Sequence, residues 1–123
     1  MPLIVPGFCD RDESVAAYGA GDRVWELTEI DQNRFPASAM LAFPKPGEIA
    51  GQAPCNSYTA SLDAPYPWFE MKNFASSQSA CDALLEEGTY FAALMAMTEV
   101  EVSGDVLILR NDSGHEMVFT AVD

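Results

Sequence analysis

The stretch Glu99-Val100-Glu101-Val102-Ser103-Gly104-Asp105-Val106-Leu107-Ile108-Leu109 alternates acid and valine, breaks at Ser103-Gly104-Asp105, and returns through four aliphatic residues. Alternation with a period of two puts the valines on one face, and a Gly-Asp turn between two such runs is the local chemistry of a β-hairpin. Downstream, Asn111-Asp112-Ser113-Gly114 forms a second turn and Glu116 to Thr120 a third strand. The C-terminal part therefore reads as an antiparallel meander.

Just before the meander, residues from about Asp82 to Met97 place Leu84, Leu85, Phe91, Leu94 and Met95 on one broad face at helical spacing. This is the one convincing helix. Ser79 followed by Asp82 is positioned to cap it, and Asp82, Glu86 and Glu87 suit the positive end of its dipole. Gly88 weakens its middle, which suggests close packing on a strand.

Further upstream, Val24 to Ile30 alternates with Trp25 and Leu27 on one face, and Asp31-Gln32-Asn33 turns. Ala39 to Phe43 and Glu48 to Gln52 form a hairpin around Pro44-Lys45-Pro46-Gly47. Ser57 to Ser61 is a weaker strand, and Trp68 to about Phe74 another. No βαβ repeat is visible. The expected fold is α+β and mostly β: a curved antiparallel sheet or small β-barrel of about seven or eight short strands, with one helix near residues 82–97.

The 123 residues are 49% hydrophobic and 11% aromatic, enough for one core without a metal or a dense disulfide framework. Nineteen acidic residues against six basic ones give a net charge of -13. That balance opposes binding to nucleic acid, whose affinity rests on Lys and Arg displacing counterions, and to anionic membrane surfaces. No apolar run approaches the ~20 residues that span a bilayer. The acidic groups are spread over many elements, which reads as a solvated surface that keeps the chain soluble.

At the amino terminus, the apolar residues Met1 to Phe8 give way abruptly to Cys9-Asp10-Arg11-Asp12-Glu13. This resembles the junction after a secretory signal, although no basic residue precedes the run, and Pro2 and Pro6 interrupt it. Residues 1–21 are read as a signal-peptide remnant or, in the alternative, a short flexible tail, and the domain is expected over residues 22–123. Cys9, at the junction, is the candidate for lipid attachment.

Trp25-Glu26-Leu27, Ile49-Ala50-Gly51 leading to Cys55-Asn56-Ser57-Tyr58, Ala80-Cys81 at a helix entrance, Gly104-Asp105-Val106-Leu107-Ile108-Leu109 and Met117-Val118-Phe119 follow one another in an order that resembles the META domain family, which includes the bacterial heat-shock protein HslJ. The resemblance covers about residues 22–121, and Pro54, where the family usually has glycine, is its main departure. It implies a compact β-barrel-like domain with a helix, common in exported or lipid-anchored bacterial proteins, linked to stress tolerance and without an established catalytic activity. The family-motif residues Trp25, Gly51, Cys55, Asn56, Cys81, Gly104 and Asp105 are then expected to be structural.

The family pattern also brings Cys55 and Cys81 to a sheet end and the helix start. In an exported protein they form a disulfide whose closure contributes roughly 3.5 kcal/mol in the chain-entropy model; in a reducing cytosol they are buried thiols. Thiol-dependent chemistry at Cys81, near a helix start, is a third alternative. Asn56 has the side chain to bond backbone groups of the turn after Cys55. The sole histidine, His115, reads as an exposed turn residue, and no metal-ligand spacing is present. Trp25, Trp68 and Phe91 are candidates to line a ligand pocket, against a packed core as the alternative.

The functional expectation is a monomeric, non-enzymatic, cofactor-free domain of the bacterial envelope or periplasm, or of the cytoplasm if the start is genuine, that acts on an unknown protein partner. A small barrel binding an apolar or peptide ligand is the alternative.

Overall fold

The computed structural model describes residues 19–21 and 23–122. The candidate lipid site Cys9 and the apolar run from Met1 to Phe8 lie outside the described residues.

Nine strands and one helix form the described fold: β1 (Val24–Ile30), β2 (Asn33–Arg34), β3 (Met40–Ala42), β4 (Glu48–Gln52), β5 (Ser57–Leu62), β6 (Met71–Ser76), α1 (Leu84–Ala96), β7 (Glu99–Ser103), β8 (Val106–Arg110) and β9 (Glu116–Ala121). All pairings are antiparallel. The sheet runs β6-β5-β4-β3-β1-β9-β8-β7, with two-residue β2 paired to β1. It curls into a half-barrel, and β1 joins the N-terminal strands to the C-terminal meander through β9.

The alternation seen in the sequence decides what faces inward. Trp25 and Leu27 of β1, Leu107 and Leu109 of β8, and Met117 and Phe119 of β9 are buried in one continuous core. The meander hairpin closes through Gly104, whose φ of +61° suits glycine, and pairs Ser103 with Val106. The β1–β2 hairpin pairs Ile30 with Asn33, so its two loop residues are Asp31 and Gln32, both with positive φ.

Several details differ from expectation. Residues Pro67 to Phe69 pair with β7 rather than opening β6: the Val100 N–H donates to Pro67 O (2.8 Å) and the Phe69 N–H to Thr98 O (2.9 Å). The chain thus crosses from the β7 edge to β5, and β6 starts at Met71. Ala20 is fully buried and its carbonyl accepts the Trp25 indole N–H (3.1 Å), so the folded domain reaches ahead of residue 22.

The helix also begins two residues later than Asp82. No side-chain oxygen caps it; the N-cap is Ala83, whose N–H points at Cys81 Sγ (3.4 Å). Its buried face is Glu87, Tyr90 and Leu94, while Leu84, Leu85 and Met95 are 48%, 86% and 51% exposed. Tyr90 and Leu94 fill the hollow of the curl, Tyr90 against Phe35, Tyr58 and Phe119. The apolar row read from the sequence is therefore split: Leu94 is buried and Phe91 half-buried, while Leu84, Leu85 and Met95 lie on the outer side. Gly88 faces open space, with nothing near a side chain placed there.

Candidate functional site

The β4–β5 connection meets the helix entrance at the most elaborate polar cluster of the described residues. After β4, the chain turns through Ala53 to Asn56, closed by the Ala53 N–H to Asn56 O (2.8 Å). Pro54 has no N–H, and the turn requires none there. The next two amides, Cys55 and Asn56, both donate to Glu87 Oε1 at 2.8 Å. Asn56 Nδ2 donates to Glu87 Oε2 (2.6 Å) and to Ser79 O (2.9 Å). Asn56 Oδ1 accepts from the Ser77 hydroxyl (2.9 Å) and the Ser79 N–H (2.6 Å). The amide side chain therefore makes all four bonds available to it.

Both backbone groups of Ser79 are bonded to Asn56, and Ser79 stands four residues before the Ala83 N-cap, too early in the chain to cap the helix. Asn56 and Glu87 are buried, and their polar atoms are directed at each other, at backbone and at the Ser77 hydroxyl. Beside them, Cys55 and Cys81 are joined by a disulfide, with Cα atoms 5.6 Å apart across 26 positions. Two independent ties, one covalent and one polar, thus hold the β4–β5 turn to the start of α1.

A second polar feature runs through the core. The Tyr58 hydroxyl donates to Met40 O (2.8 Å) and lies 2.5 Å from the Tyr90 hydroxyl. Burial pushes both phenols above their ordinary range. Gly51 lies directly beneath: a Cβ there would collide with Met40 O and the Tyr58 hydroxyl.

The remaining motif residues have separate structural tasks. Trp25 is fully buried, with Arg23 over its ring at 5.2 Å. Arg23 donates to Gly104 O (3.1 Å) and pairs with Asp105 (2.7 Å), tying the segment before β1 to the β7–β8 turn. His115 is exposed and its Nδ1 lies 2.9 Å from Asp31 Oδ2. The Glu116 N–H and then His115 hold the Asp31 carboxyl below its ordinary range.

The structure does not assemble Trp25, Trp68 and Phe91 into a pocket. Trp25 belongs to the core, Trp68 is 55% exposed where residues 67–69 meet β7, and Phe91 packs on Tyr58 and Phe74 at 5.4 and 4.9 Å. Concavities at the surface have other linings. Among the described residues no group of three or more His, Cys, Asp or Glu side chains is placed to hold a metal. No described helix is long and apolar enough to cross a membrane.

Sequence reasoning missed the structural roles of Glu87, read there only as favouring the helix dipole, of Tyr58, read only as part of the family series, and of Ser77. The available signal was the spacing 87, 90, 94, which places Glu87 on one face with Tyr90 and Leu94; a carboxylate there reads as solvated until its three N–H donors are seen.

The family model for the META domain matches residues 20–123. No curated protein matches the chain in sequence. Among solved structures, an NMR structure of a protein from Burkholderia xenovorans is similar, with a TM-score of 0.69 and 20% identity, covering 99% of this chain and 94% of that one. A crystal structure of a DUF4847 family protein from Bacteroides vulgatus is similar with a TM-score of 0.70 and 11% identity, covering 87% and 96%. At such identities the likeness concerns the fold.

Proposed function

Because the chain belongs to the META domain family, we propose that it is a non-enzymatic accessory domain of the bacterial cell envelope, acting under stress through contact with a partner protein. The outer face of α1 carries this proposal: Leu84, Leu85 and Met95 are exposed on an otherwise acidic molecule, beside Gly88. Apolar side chains grouped on an outer face mark contact surfaces. The Cys55–Cys81 bond supports the envelope, since disulfides persist in oxidising compartments. The Asn56–Glu87 cluster supports a structural role for the motif, because its polar atoms are taken up in holding the chain.

The test is a strain lacking the gene, challenged by heat and complemented with the double variant Leu85→Glu, Met95→Glu. The expected outcome is loss of protection with the melting temperature of the purified variant unchanged. Full protection by the folded variant would defeat the proposal. Fractionation with thiol alkylation tests the compartment: the expected result is envelope protein with Cys55 and Cys81 unreactive, and cytosolic protein with both reactive would exclude that location.

A further inference from the structure

Between the β1–β2 hairpin and the first turns of α1 lies a concavity of about 400 Å³. That is near the lower end of the range of small-molecule sites. Its apolar lining is Ile30 at the end of β1, Phe35 and Pro36 after β2, and Leu85, the most exposed large apolar side chain described; Asn33 and Thr89 add uncharged polar groups. Two side chains of opposite charge, Arg34 and Glu86, line the same space.

Among the described residues, neither of the two has an ion pair or a side-chain hydrogen bond, to each other or to any neighbour. Arg23, Lys72 and Arg110, by contrast, are each paired to acids. Arg34 stays unpaired even though Glu29 is its cross-strand neighbour. The third charged group at the concavity, Asp31, is already engaged by His115 and the Glu116 N–H. What remains at the concavity, among the described residues, is a cation and an anion without partners beside the apolar side chains.

The chemical complement is a small molecule with an apolar body and both charges. We propose that this concavity binds an apolar dipeptide, with its carboxylate at Arg34, its ammonium at Glu86 and its side chains against Phe35 and Leu85. A fatty acid would satisfy Arg34 but set its anionic head in a space shared with Glu86. A single amino acid would meet both charges but offers one side chain to a hollow that presents apolar residues from two elements, Phe35 after β2 and Leu85 on α1. This inference goes beyond the partner-contact proposal and does not depend on it, because it is read on the purified chain.

The experiment is an NMR titration of the ¹⁵N-labelled full chain with leucyl-phenylalanine, and with its N-acetylated and C-amidated forms. The expected result is saturable shifts at residues 30–36 and 85–89, weakened about three- to five-fold by either cap, the scale of one exposed ion pair. R34Q should erase the difference between free and amidated peptide, and E86Q that between free and acetylated peptide. Both positions lie at the surface, and the capped-ligand comparison on the unaltered chain stands without either variant. Unsaturable or scattered shifts, equal binding of the capped forms, or tighter binding of decanoate would each overturn the assignment.

Discussion

Asn56 and Glu87 show how much structure two side chains carry when they are buried together. Replacing Glu87 by Gln keeps the shape but turns an NH₂ group toward donors, either the Asn56 side-chain amide or the two backbone amides now met by Oε1. The cost of a buried group left unsatisfied is about 1–3 kcal/mol. Chemical denaturation of E87Q should show a loss of that size, and unchanged stability would assign the cluster no structural weight. Gly51 is a purely steric case: G51A drives a methyl into Met40 O and the Tyr58 hydroxyl. Overpacking of this kind costs about 1–3 kcal/mol, read from the same denaturation curves. Asn56 was legible as a turn residue from its type and place after Cys55. Glu87 was not, because its donors come from a turn more than thirty positions away.

At the level of elements, strands were easier to read than the helix. Glu48–Gln52 matches its expected span, because period-two alternation and the Pro-Lys-Pro-Gly turn act locally. Helix α1 was visible as an element, but its orientation was not. Two apolar faces compete on it, and the aromatic cluster of Tyr58, Tyr90, Phe91 and Phe74 selects the one carrying Tyr90 and Leu94. Gly88 then falls on the outer side, without a neighbour to require it. Gly88→Ala should therefore stabilise the fold by about 0.5–1 kcal/mol, the helix-propensity difference, seen as a higher melting temperature. A fall in melting temperature would mean that α1 packs on that face after all.

For the whole molecule, the covalent tie and the buried phenols set the response to conditions. Reducing Cys55–Cys81 should cost roughly 3.5 kcal/mol by the chain-entropy estimate, measured as the shift in denaturation midpoint with and without reductant. Tyr58 and Tyr90 set an alkaline limit. Their folded pKa values lie above the unfolded value of about 10, so both states keep their protons below that pH. At higher pH the unfolded chain releases protons that the folded chain holds, and stability falls as pH rises toward the folded values. In an alkaline titration, ionisation of these two phenols should coincide with loss of the circular-dichroism signal; ionisation of all four tyrosines before that loss would contradict it. The sequence by itself determined the strand-rich antiparallel class, the order of elements, the family and most turns, because alternation and turn chemistry act over a few residues. Only the tertiary structure decided which helix face is buried, which acid enters the core and where an unpaired Arg34 and Glu86 share an apolar hollow. These depend on packing and hydrogen bonds between residues far apart in the chain, which no local pattern encodes.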